Sequence, residues 1–111
     1  MRYLTRRTRI YKNAVGTAKQ GDRVISFGLC KGSSDLIGIT SVKITPEMVG
    51  DTVGVFTAIE VKKHNGRPRP DQIKFINIVK LSGGIAGIAK TIDEANKLIE
   101  DYTQKNKHEN I

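Results

Sequence analysis

Two short apolar stretches each carry an acidic residue whose position suggests chemistry. Glu60 and Lys62 lie two residues apart at the end of the run from Phe56 to Val61, and Asp35 immediately precedes a second run. Because a β-strand alternates faces with a period of two, Glu60 and Lys62 should point to the same side, and Ile59 and Val61 should point to the opposite side and be buried in the core. If the two strands are neighbours, Asp35 could meet Glu60 at a shared end. Carboxylates in such proximity repel unless protons or a cation lie between them, so the pattern predicts a cation site.

The ligand types indicate which cation would bind. Hard oxygen ligands without a nearby Cys or His cluster favour Mg²⁺ or Mn²⁺ over zinc. A lysine beside such an ion can orient an attacking water or balance the charge of a phosphate oxyanion. Asp35, Glu60 and Lys62 are therefore a plausible phosphodiesterase set. Each piece also has a simpler interpretation, because Asp35 could be a turn residue and Glu60 with Lys62 a surface ion pair.

The charge of the chain suggests what it binds. The 111 residues carry a formal net charge of +8, and the first 20 contain no acidic residue. A basic balance of this size favours nucleic acid over a membrane as partner, although a merely soluble basic protein or a frayed N-terminal arm would look the same. Aromatic residues make up 5% and Trp is absent, so stacking on unpaired bases should contribute little.

The remaining composition bounds the setting and the domain count. Cys30 is the single cysteine, which excludes an internal disulfide and favours a reducing, intracellular setting. Its place after an apolar stretch predicts a buried thiol. No apolar run approaches the roughly 18–20 residues of a membrane span, and the basic N-terminus lacks the apolar segment of a secretory signal. The length predicts one domain over 1–111, with a basic arm at 1–10, a core at about 11–100 and a frayed tail at 105–111.

The elements that position these residues follow from turn and helix signals. A Gly-Asp turn, Pro70 at a helix start, a Gly83-Gly84 helix end and a Thr91/Glu94 capping box divide the chain. The predicted strands are 7–19, 23–29, 36–39, 53–62 and 85–90, and the predicted helices run over 70–81 and from Thr91 to about Gln104. This order predicts an α/β fold, with a mixed central β-sheet flanked by helices.

Four segments resemble a known motif series. "GLCKGSSDLIGI", "FTAIEVK", "PDQIKFINIVKLSGGIAGIAK" and "TIDEANKLI" are similar to the motifs of VRR-NUC domains, the virus-type replication-repair nucleases of the PD-(D/E)XK superfamily. The resemblance covers roughly residues 11–100 and implies a restriction-endonuclease-like core. Stand-alone domains of this size occur in bacteriophages, which implies a location in the cytoplasm of an infected bacterial host.

The resemblance implies a role for each motif residue. Asp35 and Glu60 would bind the metal, together with the backbone carbonyl of Val61, and Lys62 would orient the attacking water. Gln72, which could otherwise be an ordinary polar helix residue, would contribute to the active site. Residues expected to contact DNA without reading bases, some of which could instead be solvated, are Arg6, Arg7, Arg9, Lys31, Ser33, Ser34, Lys63, Arg67, Arg69 and Lys80.

The implied function is a Mg²⁺- or Mn²⁺-dependent DNA endonuclease, acting as a homodimer on branched DNA such as a four-way (Holliday) junction or a flap. Many relatives carry a metal-binding glutamate on a helix before the first strand, but residues 1–21 contain no acidic residue. We therefore expect the N-terminal helix to be reduced or absent and the site to have one carboxylate fewer. Its affinity for Mg²⁺ without DNA should be weak, on the order of millimolar. The alternatives are a nuclease-fold module that binds DNA without cutting it and a small basic RNA-binding protein.

Overall fold

The computed structural model describes residues 7–108, with side chains described as far as residue 104. Over that range the chain contains six strands in three two-stranded sheets, two α-helices and one 3-10 turn, Pro46–Met48, which confirms the α/β class. The chain divides into two compact units, Met1–Val42 and Lys43–Ile111, which are described separately below. Neither described helix has the length and apolar content needed to cross a bilayer.

The first unit consists of two antiparallel strand pairs. Strand β1, Thr8–Lys12, pairs with β4, Leu36–Thr40, and Ile39 is buried in this sheet. Strands β2, Gly16–Gln20, and β3, Arg23–Phe27, form a hairpin across Gly21-Asp22, as the turn signal predicts. The continuous strand predicted over 7–19 is wrong, because the chain leaves β1 at Asn13, whose backbone and side chain bond to the loop before β4.

The second unit is a parallel crossover followed by a helix. Strand β5, Thr57–Val61, pairs in parallel with β6, Ile85–Ala89, and helix α1, Pro70–Leu81, connects them. Helix α2, Ile92–His108, follows β6. The core of this unit lies between α1 and β6, with these buried apolar residues: Ile76, Val79, Ile85, Ala86 and Ala89.

Both ends of α1 and the start of α2 follow their sequence signals. Pro70 begins α1, and Gly83, at a φ of 98°, ends it. The N–H groups of Gly83 and Gly84 donate to the carbonyls of Lys80 and Val79, which is the hydrogen-bond pattern of a Schellman motif. Thr91 accepts a bond from the Glu94 N–H at the start of α2, as the predicted capping box requires.

Two predicted burials are wrong. Cys30 is exposed, and Val61 is 75% exposed at the end of β5. Val61 is open because α2 packs over β6, where Leu98 lies against Gly87, rather than over β5. Apolar residue type indicates a tendency to be buried, whereas burial itself depends on which element covers the strand.

Candidate active site

Glu60 and Lys62 form an ion pair at the carboxyl end of β5. The Lys62 Nζ lies 3.4 Å from the Glu60 Oε1, so the two side chains share a face, as the strand period predicts. The Lys62 side chain is 18% exposed and that of Glu60 is 32% exposed. Both groups are therefore partly withdrawn from water but still accessible to a substrate.

Gln72 joins this pair from the first turn of α1. Its Oε1 accepts a hydrogen bond from the Arg69 N–H at 2.9 Å, and its Nε2 donates to the Glu60 Oε1 at 2.7 Å. Because the backbone N–H of Arg69 is only a donor, it fixes which end of the amide is the oxygen. The amide therefore caps the helix with one end and holds the Glu60 carboxylate with the other.

The arrangement leaves oxygen atoms open at the end of β5. Among the side chains described, Glu60 makes its polar contacts through Oε1 and not through Oε2. The Lys62 N–H donates to the carbonyl of Ala89 on β6 at 3.0 Å. In a trans peptide the preceding carbonyl points the opposite way, so the Val61 oxygen is directed away from β6. A carboxylate oxygen and a backbone carbonyl are both ligands that suit Mg²⁺ or Mn²⁺.

Asp35 lies in the first unit, immediately before β4. Its side chain is exposed, and its backbone carbonyl accepts a hydrogen bond from the Asn13 N–H at 2.7 Å. Asp35 also borders a mostly apolar cavity of about 500 Å³. Since Glu60 belongs to the second unit, the expected meeting of the two carboxylates stays a prediction. Within the residues described, no three His, Cys, Asp or Glu side chains gather as a metal site.

The residues expected to contact DNA differ in exposure and in whether they already have protein partners. Among the residues expected to contact DNA, those with a cationic side chain that is exposed and outside the ion pairs shown for the described residues are Arg7, Arg9, Lys31, Lys63, Arg67 and Lys80. Lys80 lies eight residues beyond Gln72, or about 12 Å along the helix axis, so α1 does not bring it to Glu60. Arg6 lies outside the described residues.

Two other residues expected to contact DNA already have protein partners. The Arg69 Nε donates to the Asp71 Oδ1 at 3.1 Å, and this hydrogen bond lowers the pKa of the Asp71 carboxyl. The Ser33 hydroxyl donates to the Cys30 carbonyl at 2.7 Å. A phosphate would have to displace these partners, whereas Ser34 is exposed and its hydroxyl shows no such partner within the described side chains.

The sequence did not single out Asn13 or Lys90, yet both organise loops beside the site residues. Asn13 is buried and bonds to the loop that carries Asp35. The Lys90 Nζ donates to the His64 carbonyl at 2.7 Å and so holds the turn that follows Lys62. The available signal for Asn13 was weak: a turn-favouring residue inside an otherwise strand-like run.

Comparison with known protein families gives one match. The family model described as the VRR-NUC domain matches residues 12–92, a span that includes every member of the Asp35, Glu60, Lys62 and Gln72 set. Searches of curated proteins and of solved structures gave no significant match.

Proposed function

The chain belongs to the VRR-NUC domain family and is therefore a nuclease acting on DNA, and on this premise we propose that it is a divalent-metal-dependent endonuclease. The observation that carries the proposal is the convergence of Gln72 and Lys62 on one oxygen of Glu60. In an ordinary surface ion pair the carboxylate is not also held by a helix-capping amide. A carboxylate with one oxygen restrained and the other open is suited to holding a cation.

The proposed metal ligands are oxygen atoms only. Glu60 Oε2, the carbonyl of Val61 and the carboxylate of Asp35 would hold Mg²⁺ or Mn²⁺, with water or substrate phosphate completing the shell. When bound, the ion would supply Lewis-acid polarisation of the phosphate and a more acidic bound water. Asp35 and Glu60 together bring only two negative charges, so we expect weak metal affinity before DNA binds.

Lys62 has the geometry of a group that acts on substrate rather than only on Glu60. Its 3.4 Å separation from the Glu60 Oε1 exceeds the usual 2.7–3.2 Å of an N–H···O hydrogen bond. The ammonium group therefore keeps donors available for a water molecule or a phosphate oxygen. We assign it to orienting the attacking water and to balancing the charge that develops on the phosphate.

Gln72 acts through Glu60 in this proposal. Its amide restrains the carboxylate rotamer, so that Oε2 stays directed to the cation. Because the same amide caps α1, disorder at the start of this helix would also release Glu60. Gln72 is thus a positioning residue in this site.

Substrate binding would depend on charge and DNA shape. The net charge of +8 and the exposed cations of both units favour phosphate contacts without base reading. We further propose that branched DNA, a four-way junction or a flap, is preferred over linear duplex and that the active form is a homodimer. Cleavage of a labelled panel of these three DNAs, with sedimentation of the protein alone, tests both proposals.

The central test is cleavage of supercoiled plasmid and branched DNA by wild type, Lys62→Met and Lys97→Met. Lys97 is exposed on α2 and belongs to no proposed contact, so its variant controls for the loss of one charge. In Mg²⁺ or Mn²⁺, Lys62→Met should cut at least about 100-fold more slowly while binding DNA nearly as well. Cleavage that persists in EDTA, or a Lys62→Met rate equal to wild type, contradicts the proposed mechanism. Binding without cleavage in every condition would favour a nuclease-fold binding module.

A further inference from the structure

We infer that Asn13 is a positioning residue for Asp35 and that it sets the affinity of the site for its metal ion. The inference rests on the proposed function, because it takes Asp35 to be a metal ligand. Asn13 is distant from Asp35 in sequence but directly bonded to its backbone. All of the contacts involved lie within the first compact unit.

Asn13 makes one backbone and three side-chain hydrogen bonds. It is 7% exposed, and its backbone N–H donates to the carbonyl of Asp35 at 2.7 Å. Its Nδ2 donates to the Ser33 Oγ at 2.7 Å and to the Ser34 carbonyl at 2.9 Å. Its Oδ1 accepts from the Leu29 N–H at 2.9 Å. A single side chain therefore connects the end of the β3 segment to the two residues that precede Asp35.

The loop between β3 and β4 has few other restraints. The Ser33 Oγ donates to the Cys30 carbonyl at 2.7 Å, and the Ser33 N–H donates to the same carbonyl at 3.0 Å. Gly32, at a φ of 85°, makes this tight turn feasible. These bonds close the turn on itself, whereas the bonds from Asn13 attach it to the rest of the unit. Without the Asn13 side chain, Asp35 would keep the backbone bond from the residue 13 N–H, but Ser33 and Ser34, the two residues before it, would lose their attachment to the rest of the unit.

The chemistry of its two backbone partners requires an amide at position 13. The Leu29 N–H needs an acceptor, and the Ser34 carbonyl needs a donor. A carboxylate could accept from the Leu29 N–H but could not donate to the Ser34 carbonyl, and its negative charge would add to that of Asp35. An alkyl side chain would satisfy neither partner and would leave buried polar groups unpaired.

Fixing a ligand before the metal arrives increases affinity, because the cost of ordering the loop is already met on folding. Residues that orient metal ligands typically change metal affinity or activity by about 10–100-fold when replaced. Asn13→Ala should therefore require at least about tenfold more Mn²⁺ for half-maximal effect. Cleavage at saturating Mn²⁺ should fall much less, since Glu60 and Lys62 lie in the other unit.

The test measures Mn²⁺ binding directly by paramagnetic broadening of backbone amide NMR signals. In wild type, the signals of Ser34, Asp35 and Leu36 should be among the first to broaden as Mn²⁺ is added, together with those of Glu60 and Val61. In Asn13→Ala, this broadening should require roughly tenfold more Mn²⁺, and the Leu29 amide should exchange with solvent faster. Asn13→Asp should retain protection of the Leu29 amide but lose order at Ser34.

Two matched variants separate positioning from a general loss of stability. Ile39→Val weakens the core of the same sheet without touching a loop hydrogen bond, and Asn96→Ala removes an exposed amide on α2. Both should keep wild-type Mn²⁺ dependence. Should Asn13→Ala fail to fold, Ser33→Ala removes one of the bonds from Asn13 together with the two side-chain bonds between Ser33 and Cys30. It should shift the Mn²⁺ dependence by about threefold to tenfold.

The outcomes distinguish this inference from the proposed function. If wild type cleaves DNA and broadens at Asp35 while folded Asn13 and Ser33 variants titrate identically, the inference alone is wrong. If wild type shows neither metal-dependent cleavage nor broadening at Asp35, the proposed function fails and the inference fails with it.

Discussion

Replacing Gln72 with Glu tests the contact on which the proposed active site depends. The side chains have nearly the same shape, and a carboxylate oxygen can still accept from the Arg69 N–H. The other oxygen, however, would occupy the place of Nε2, which lies 2.7 Å from the Glu60 Oε1. The substitution therefore exchanges a hydrogen bond for a repulsive contact between two carboxylates.

The size of the effect follows from the exposure of the pair. Two unit charges about 4 Å apart interact by about 1 kcal/mol in water and about 4 kcal/mol at the effective dielectric typical of a protein surface. The Glu60 side chain is 32% exposed, so the repulsion should lie between these limits. With the lost hydrogen bond included and some side-chain relaxation, we expect about 2–3 kcal/mol less stability at pH 8. For a domain of this size, that corresponds to a melting temperature lower by roughly 10–20 °C.

The loss of stability in Gln72→Glu should increase as the pH rises. Repulsion raises the pKa of the introduced carboxyl in the folded state above its unfolded value of about 4.3. Below that value the carboxyl is protonated in both states, and the variant should be closest to wild type. The deficit then grows as the pH rises through the raised folded pKa. A divalent cation between the two carboxylates would offset the repulsion, so added Mn²⁺ should recover part of the loss.

Urea unfolding followed by circular dichroism, at pH 4, 6 and 8 with EDTA or Mn²⁺, measures these effects relative to wild type. Gln72→Ala removes the hydrogen bond without adding charge, and its smaller deficit should change little with pH. Asn77→Asp adds a carboxylate at an exposed position of the same helix and should show neither effect. If Gln72→Glu is as stable as wild type at pH 8, or equally destabilised at pH 4 and 8, positions 60 and 72 are not in contact in solution.

Three further predictions concern the Arg69–Asp71 pair and the end of α1. Asp71→Asn removes the partner of Arg69, so DNA affinity measured by fluorescence anisotropy should rise a few-fold, and the slope of log K against log salt concentration should steepen by about 1. An unchanged slope would show that Arg69 reaches no phosphate. NMR titration should give Asp71 a pKa below its usual range in wild type but not in Arg69→Gln. Because the pKa is lowered in the folded state, the pair stabilises the fold above the unfolded pKa, and this stabilisation is lost as the pH falls through the folded pKa. Gly83→Ala should lower the free energy of unfolding in urea by about 1–2 kcal/mol, because Gly83 has a φ of 98°. Gly54→Ala, where an added Cβ meets open space, should lower it little; equal losses of stability would contradict the left-handed helix end.

Both ends of α1 and the start of α2 were predictable because their causes are local, whereas α2 continues to His108 beyond the predicted end at about Gln104. Pro70 fits only the first turn of a helix, and Gly83 accepts the left-handed conformation that ends one. The capping pair Thr91 and Glu94 is likewise three residues apart. Each signal acts over one helical turn, so it can be recognised without knowledge of the rest of the fold.

Burial and strand continuity were less predictable because their causes lie far along the chain. Val61 is apolar but open, since α2 packs over β6 instead of β5. The break after β1 arises because Asn13 bonds to residues around 20 positions later, at Ser33 and Ser34. A single sequence gives no local indication of such partners.

The two proposed carboxylate ligands, Glu60 and Asp35, also differ in whether the contacts that position them are local. The start of α1 and the setting of Glu60 depend on one side chain, because the Gln72 amide contacts both the Arg69 N–H and the Glu60 carboxylate. Folding of the helix start therefore also orients the proposed ligand. Asp35 has no comparable local restraint and depends on Asn13. Loss of the α1 cap should accordingly affect both stability and Glu60, whereas loss of Asn13 should act mainly on the metal dependence through Asp35.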